Sequence, residues 1–191
     1  MAIDQQPEPA PSVAEGTIGP ICFVGFMGAG KTTVGRLVAQ RLQRRFVDLD
    51  DRICQRERRE IADIFRDSGE PYFRRVESEC LRALVQEAAA AGSLGLAPLV
   101  IAVGGGAFVQ PGNAALLREY GFNTVFLDAG VEELRRRCAS GGPDRPLARD
   151  QNLFRQLYEA RRSAYMAAEM RVDTSGKTPE QVVEEVLGFR R

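Results

Sequence analysis

The stretch GFMGAGKTT, residues 25–33, begins at the last residue of an apolar run, ICFVG at 21–25, and passes into TTVGRLVAQRLQRR at 32–45. A short apolar run that ends in glycine is typical of a buried strand, and the apolar spacing of the third segment is that of an amphipathic helix. The pattern G-x-x-x-x-G-K-[ST] between a strand and a helix predicts a loop that binds phosphate. These segments therefore indicate both a fold class and a first ligand.

Each defined position of this pattern has a physical role in holding a nucleotide. Gly25 and Gly30 let consecutive backbone N–H groups wrap the phosphates at the positive end of the following helix. Lys31 can reach the outer phosphates, and the Thr32 hydroxyl can ligate magnesium. An accidental glycine turn is the structural alternative. The full pattern, in the strand and helix context that it requires, favours nucleotide binding.

Apolar runs and helical stretches alternate along the rest of the chain. Strands are predicted at 21–25, 46–49, 99–103, 124–128 and 170–174. Helices are predicted at 32–45, from 51 to about 91, and at 131–139, 151–170 and 179–189. Such alternation produces a parallel sheet with helices on both faces and ligands at the carboxyl ends of the strands. The predicted fold is an α/β three-layer sandwich of the P-loop NTPase type, with a five-stranded parallel sheet flanked by helices.

Composition narrows the functional classes. The 191 residues include 26 Lys plus Arg, 26 Asp plus Glu and no histidine. The chain therefore has no net positive charge that would attract it to nucleic acid or to an acidic membrane. The four cysteines are scattered and do not have the spacing of a metal site. The sequence has neither a signal-peptide pattern nor a membrane-spanning run, so we expect a reduced cytoplasmic protein. We expect residues 1–18 to be a disordered tail and 19–191 to be a single domain. A monomer without nucleic acid or membrane partners is expected.

Two carboxylates follow the second predicted strand. In FVDLD, at 46–50, a period of two would point Asp48 and Asp50 to the same side and Leu49 to the other. One acid could serve magnesium, which needs few protein oxygens, while the other addresses an acceptor. Asp48 is the better metal candidate, because the strand at 99–103 ends in glycines and not in an acid. Alternatively, Asp50 only caps the next helix, or both acids are solvated.

A second stretch of bare backbone, VGGGAF at 103–108, follows the apolar run PLVIA. Glycines at the end of a buried strand indicate that something approaches the backbone closely. Paired arginines occur in two distant segments, GEPYFRRVESE at 69–79 and YEARRSAYM at 158–166. Ion pairs on solvated helix faces would explain them, and for Arg75 that explanation is preferred. Two arginines from distant segments could instead hold a small carboxylate through parallel hydrogen bonds.

Taken together, these motifs resemble those of shikimate kinases. Seven segments occur in the order found in that family, from about residue 20 to 189: GFMGAGKTTVG, FVDLDDRI, IADIFRDSGEPYFRRVE, VGGGAF, DRPLA, RRSAY and RVDTSGKTPEQVV. The resemblance implies ATP-dependent phosphorylation of the shikimate 3-hydroxyl, a step in chorismate and aromatic amino acid biosynthesis. It also implies an acceptor-binding region at about 49–77 and a mobile lid at about 138–151.

The same resemblance implies roles for individual residues. Asp50 would bind the reacting hydroxyl and act as, or stand in for, the general base, while Lys31 and the lid residue Arg145 would offset the charge of the transferring phosphoryl group. Thr32 and, through water, Asp48 would hold Mg²⁺. The implied ATP-binding set is Gly28, Ala29, Gly30, Lys31, Thr32, Thr33, Arg137, Arg145 and Pro179, with Arg137 and Pro179 on either side of adenine. The implied shikimate-binding set is Asp50, Arg74, Gly104, Gly105, Gly106 and Arg161, with the two arginines on the carboxylate.

This chain also departs from the family pattern, and other functions are open to it. The lid segment has Ala148 where the family often has leucine, and RRSAY lacks the family's proline. Arg161 is assigned by counting back four from Tyr165, so Arg162 is a rival. A gluconate-type kinase would share the fold, although D-x-D with F-R-R-x-E suits an acceptor that has a hydroxyl and a carboxylate. A non-catalytic nucleotide-binding module would lack catalytic groups that this chain has.

Overall fold

The computed structural model describes residues 18–140 and 150–188. Within these ranges the chain forms five strands, namely β1 at Ile21–Val24, β2 at Phe46–Asp48, β3 at Val100–Ala102, β4 at Asn123–Asp128 and β5 at Met170–Asp173. All of them pair in parallel, in the order β2-β3-β1-β4-β5. The predicted five-stranded parallel sheet is confirmed, and its strands differ from the predicted ranges only at their ends.

Burial explains why these apolar runs form strands. Every residue of β1 and β3 is buried, so the central strands are covered on both faces, as in other parallel sheets with helices on each side. The edge strand β2 is only partly buried. The hydrophobic core therefore lies between the middle of the sheet and the helices that cover it.

Seven α-helices flank the sheet in the described ranges. They are α1 at Lys31–Arg41, α2 at Leu49–Glu57, α3 at Ile61–Ser93, α4 at Asn113–Glu119, α5 at Val131–Ser140, α6 at Gln151–Tyr165 and α7 at Pro179–Gly188. Each helical stretch predicted from the sequence overlaps at least one of them. The sequence pattern does not predict α4, because about two turns are too few to show a clear helical period.

The stretch predicted as helical from 51 to about 91 forms two helices, with a break inside the second. Arg58 has a left-handed backbone, with φ 53°, and ends α2. In α3, Gly69 has φ 78° and ψ 169°, a conformation open essentially to glycine alone, and Pro71 follows it. Proline is favoured in the first turn of a helix. Gly69 thus separates a short first segment of α3 from the long second segment that carries Arg74.

Parallel pairing brings the candidate motifs to one edge of the sheet. Asp48 at the end of β2 is in register with Ala102 of β3, which is in register with Phe23 of β1. The phosphate loop, the D-x-D segment and the glycine triplet therefore follow neighbouring strand ends. This is the edge at which parallel α/β sheets bind ligands.

Parts of the predicted chain organisation lie outside the described residues. These are the tail at 1–17, the last residues at 189–191, and residues 141–149 of the predicted lid, which include Arg145 and Ala148.

Asp150 caps α6, because its Oδ1 accepts hydrogen bonds of 3.0 Å from the backbone N–H groups two and three residues later. Among the helices of the described residues, none has the length and apolar character needed to cross a membrane.

We expect Leu84→Ala to lower the free energy of unfolding by about 2–5 kcal/mol, as large-to-small substitutions in a core do. Leu84 lies in the long segment of α3 with 0% of its surface exposed. Urea unfolding followed by circular dichroism measures the change. The matched control is Leu94→Ala, because Leu94 is 78% exposed and should change the value by less than about 0.5 kcal/mol. Equal effects of the two substitutions would contradict the assignment of Leu84 to the core.

Candidate active site

The backbone of the phosphate loop depends on glycine. Gly28 has φ 81°, and a Cβ there would lie 2.6 Å from the Leu134 carbonyl oxygen and 2.9 Å from Cys138 Sγ, both in α5. Glycine alone suits both the conformation and the space. Gly30 is the N-cap of α1, so the loop adjoins the positive end of that helix. The loop therefore has the geometry of an anion site.

Lys31, the first residue of α1, lies over this loop. Its Nζ donates hydrogen bonds to the carbonyl oxygens of Gly25 at 2.9 Å and Phe26 at 3.0 Å. Ala29 in the middle of the loop is buried, and Thr33 is exposed on the first turn of α1. The ammonium group of Lys31 is thus held beside the backbone that would bind phosphate.

Thr32 and Asp48 meet next to the loop. The Thr32 hydroxyl donates a hydrogen bond of 2.6 Å to Asp48 Oδ2, which joins α1 to the end of β2. A hydroxyl and a carboxylate supply the hard oxygen ligands that Mg²⁺ prefers, and this ion usually keeps several waters. In the part of the chain that the structure describes, His, Cys, Asp and Glu form no cluster of three or more that could hold a metal. The pair therefore fits a Mg²⁺ ion that is bound partly through water.

Asp48 also caps α2, which corrects the predicted geometry of the D-x-D segment. Helix α2 begins at Leu49, so Asp50 lies in the first helical turn and not on the strand. The prediction that a strand period of two directs both acids to one side is therefore wrong. Asp48 Oδ1 accepts a hydrogen bond of 3.0 Å from the Asp50 N–H, so Asp48 and not Asp50 is the capping residue. Because Asp48 caps the helix, the Asp50 carboxylate is available for another role.

The Asp50 carboxylate faces the glycine triplet. A Cβ on Gly104 would lie 2.8 Å from Asp50 Oδ1 and 3.1 Å from Glu77 Oε1. Burial, and then the charge of Asp48, raise the pKa of Asp50 to about 6, against the opposing charge of Lys31. A carboxylate with a raised pKa is a stronger proton acceptor than an ordinary aspartate. The position and the pKa of Asp50 both suit proton transfer at the triplet.

Arg74 reaches the triplet from α3. A Cβ on Gly106 would overlap its guanidinium group. Arg74 Nη1 donates a hydrogen bond of 2.8 Å to Glu77 Oε2, while its Nε and Nη2 lie 3.1 and 3.0 Å from Glu70 Oε1. The neighbouring Arg75 is exposed, and its guanidinium carbon lies 5.0 Å from the centre of the Tyr72 ring. Of these two arginines, Arg74 is the one that contacts the site.

Glu77, the last residue of the F-R-R-x-E motif, belongs to this cluster, although the sequence analysis gave it no role of its own. Its side chain is 1% exposed, and in the described residues its Oε1 has no hydrogen-bond partner. Burial raises the pKa of Glu77, and the charge of Arg74 opposes that effect. Its spacing of three residues from Arg74, on the same helix face, is the sequence signal that could have identified it. Glu77 thus holds Arg74 and directs a second carboxylate oxygen toward Gly104.

The structure separates the two rival arginines of α6. Arg161 Nη1 lies 3.7 Å from the place of a Cβ on Gly105, so Arg161 faces the triplet. Arg162 Nη2 instead donates a hydrogen bond of 2.8 Å to Asp128 Oδ2 at the end of β4. Tyr165, four residues after Arg161, donates its hydroxyl proton to the Gly105 carbonyl oxygen. Arg161 is therefore the arginine that the fold brings to the triplet.

On the nucleotide side, Arg137 of α5 contacts the segment that follows β5. Its Nη1 lies 3.0 Å from Thr174 Oγ1, and its Nη2 lies 2.7 Å from the Thr174 carbonyl oxygen. Pro179 begins α7 at the other end of the same segment. Both residues of the predicted adenine site therefore border the connection between β5 and α7. Arg145 lies outside the described residues.

Comparison with known proteins decides the family. A family model described as shikimate kinase matches residues 27–190. The chain belongs to the shikimate kinase family. A shikimate kinase from Persephonella marina is 39% identical over 169 residues, which cover 88% of this chain and 96% of that protein. Another, from Geobacter sulfurreducens, is 41% identical over 174 residues, 90% of each chain. As a member of this family, the chain is a kinase that transfers phosphate to shikimate.

Solved structures of shikimate kinases have the same fold. The enzyme from Acinetobacter baumannii, in complex with shikimate, has a TM-score of 0.78 at 32% identity, covering 90% of this chain and 92% of that one. The shikimate kinase from Aquifex aeolicus has a TM-score of 0.72 at 34% identity, covering 88% and 93%. A gluconokinase from Sinorhizobium meliloti has a TM-score of 0.61 at 19% identity, covering 89% and 90%, and this likeness extends to the fold alone. The predicted fold class and family are both confirmed.

We expect Gly106→Ala to lower kcat/KM for shikimate about 100-fold, because the new methyl group displaces the Arg74 guanidinium and small displacements in a site cost that much. The free energy of unfolding should fall by less than about 1 kcal/mol, since a flexible side chain can move aside. Steady-state kinetics and urea unfolding measure the two effects. The control is Gly130→Ala, where a Cβ meets no atom within 4 Å. Unchanged kcat/KM in Gly106→Ala would show that the position of Arg74 against the triplet is not needed.

Proposed function

We propose that this chain transfers the γ-phosphoryl group of ATP to the 3-hydroxyl of shikimate, giving shikimate 3-phosphate and ADP. The observation that carries the proposal is the convergence of Asp50, Arg74 and Arg161 on Gly104–Gly106, at the sheet edge that also holds the phosphate loop. The site thus combines a proton acceptor, two arginines for a carboxylate and a cradle for phosphate. Phosphoryl transfer to the hydroxyl of a small acid needs these groups in one place.

The acceptor would be held by its carboxylate. Arg74 and Arg161 come from different helices and reach neighbouring residues of the triplet, so their guanidinium groups can grip one small anion from two sides. Each planar guanidinium can donate two parallel hydrogen bonds to a carboxylate. Glu77 keeps Arg74 in place through its 2.8 Å hydrogen bond. The acceptor ring would lie against the bare backbone of the triplet.

Asp50 would accept the proton of the 3-hydroxyl as the new oxygen–phosphorus bond forms. The transition state of phosphoryl transfer is loose, so the hydroxyl proton leaves late and the orientation of the oxygen matters as much as basicity. A pKa of about 6 leaves Asp50 largely ionised near neutral pH and makes it a better acceptor than an ordinary aspartate.

The phosphate loop and Lys31 would bind the phosphates of ATP, and Arg145 of the lid would offset the charge of the transferring group. Thr32, and Asp48 through water, would hold Mg²⁺, which when bound neutralises charge on the phosphate oxygens. Arg137 and Pro179 would contact adenine. Closure of the lid would keep water from the phosphoryl group.

The cellular setting is part of the proposal. We infer that the protein acts in the cytoplasm, as a monomer, in the pathway to chorismate and the aromatic amino acids. The scattered positions of the four cysteines along the chain are compatible with a reducing compartment.

The proposed function is tested by ADP release from ATP with purified full-length protein. Shikimate, gluconate, quinate and no acceptor are compared, each with and without Mg²⁺. We expect strong turnover with shikimate and Mg²⁺ only, with the phosphate on the 3-oxygen of the product by phosphorus and proton NMR. Faster turnover with gluconate would overturn the acceptor assignment. Silence with every acceptor while ATP binds would support a non-catalytic module.

We expect Asp50→Asn to lower kcat by about 10²- to 10⁴-fold, the usual contribution of general base catalysis. The dissociation constant for ATP should stay within about twofold, since Asp50 faces the acceptor side of the site. Coupled ADP release and isothermal titration calorimetry measure the two quantities.

The matched control for this substitution is Asp51→Asn, one residue along the same helix. The Asp51 side chain is 66% exposed and lies 3.7 Å from Arg36, so its substitution should leave kcat unchanged. Near-normal turnover in Asp50→Asn would remove Asp50 from the mechanism.

A further inference from the structure

A buried acid at the end of β4 has no part in the mechanism proposed above. The Asp128 side chain is 5% exposed, and its Oδ2 accepts hydrogen bonds from Arg162 Nη2 at 2.8 Å and Arg171 Nε at 3.0 Å. Arg171 lies on β5 and Arg162 on α6, so one carboxylate joins two strands and a helix. A buried carboxylate is retained at low cost only when it is paired in this way.

Arg162 connects this ion pair to the proposed acceptor site, because it is the neighbour of Arg161 on α6. Arg162 directly follows Arg161, and successive residues of an α-helix point about 100° apart. When Arg162 binds Asp128 beside α6, Arg161 is turned toward Gly105, where its Nη1 lies 3.7 Å from the place of a Cβ. A rotation of α6 that released Arg162 would also carry Arg161 away from the triplet.

Two further contacts restrict the rotation of this part of α6. The Tyr158 hydroxyl, which accepts a hydrogen bond of 3.0 Å from Arg162 Nε within α6, donates one of 3.2 Å to the Ala129 carbonyl oxygen just after β4. The Tyr165 hydroxyl donates to the Gly105 carbonyl oxygen, one turn after Arg161. Arg161 is therefore presented from a helical segment anchored on β4 through Arg162 and on the triplet through Tyr165.

We propose that the Asp128–Arg162 ion pair is a positioning pair, which sets the rotation of α6 so that Arg161 reaches the carboxylate of the acceptor. This inference rests on the proposed function of Arg161 as a carboxylate ligand. Arg162 itself does not contact substrate. Arg171 still pairs with Asp128 when Arg162 is removed, so the fold tolerates its loss while α6 loses a tether.

The experiment compares Arg162→Ala with Arg162→Lys and with Arg155→Ala. Arg155 lies on the same helix, its side chain is 50% exposed, and it pairs with Glu132 of α5, so it is a matched control for loss of an ion pair on α6. We expect Arg162→Ala to raise KM for shikimate about 5- to 10-fold, with KM for ATP and kcat within about twofold. Arg162→Lys should restore part of the affinity, because an ammonium can still pair with Asp128 but cannot also keep the guanidinium's separate hydrogen bond to Tyr158. Arg155→Ala should change neither KM.

A double-mutant cycle separates positioning from direct binding. If Arg162 acts through Arg161, Arg162→Ala has little further effect on shikimate affinity in an Arg161→Ala background, with affinity measured by calorimetry. If Arg162 bound the carboxylate itself, its substitution would weaken affinity by a similar factor in both backgrounds, and the inference would be overturned.

Other outcomes are equally decisive. A lower melting temperature of Arg162→Ala with an unchanged KM for shikimate would reduce the pair to a stabilising contact and reject the inference. An unchanged KM in Arg162→Ala while the wild-type protein phosphorylates shikimate rejects this inference alone. Wild-type protein that neither binds nor phosphorylates shikimate rejects the proposed function and this inference together.

Discussion

The close approach of charged side chains to the bare backbone of Gly104–Gly106 is the constraint on which the rest of the active site depends. Asp50 of α2 and Arg74 of α3 lie so close that a Cβ on Gly104 or Gly106 would crowd them. Arg161 of α6 lies at ordinary contact distance, with its Nη1 3.7 Å from the place of a Cβ on Gly105. A side chain at Gly104 or Gly106 would force one of these groups to move. The glycines therefore serve the neighbouring functional groups as well as any ligand.

Electrostatic balance follows from this crowding. Asp50 and Glu77 approach the same glycine, and burial raises the pKa of both carboxyl groups. Arg74 lowers the cost of keeping Glu77 buried, since it donates a hydrogen bond to that carboxylate. Under the proposed function, an acceptor carboxylate would add a further negative charge between Arg74 and Arg161, where two guanidinium groups could receive it. The charges of the site therefore support the proposal of a small anionic acceptor.

The phosphate side and the acceptor side are joined by short polar contacts. Thr32 of α1 donates to one oxygen of Asp48, and the backbone N–H of Asp50 donates to the other. A single carboxylate therefore connects the helix that follows the phosphate loop to the helix that carries the proposed base. Because these hydrogen bonds fix both helix starts against the end of β2, the distance between the two halves of the site depends on the sheet and not on a flexible loop.

The sequence by itself determined the local features of this protein. Five strands, the phosphate loop and the glycine triplet were predictable, because each is a short pattern whose physical cause lies within a few neighbouring residues. The motifs themselves supplied the candidates of the phosphate loop and of the D-x-D segment, family resemblance supplied most of the others, and the described ones lie at the predicted edge of the sheet. The function assigned to each of them stays a prediction.

Only the tertiary structure decided which way several side chains point. It put Asp50 on a helix turn and not on a strand, chose Arg161 over Arg162 as the arginine at the triplet, and revealed Glu77 as a buried member of the cluster. The direction of a helical side chain depends on the rotation of the whole helix, which is set by packing and by contacts with distant residues such as Asp128. Those contacts join residues far apart in the chain, so no local spacing in the sequence contains them.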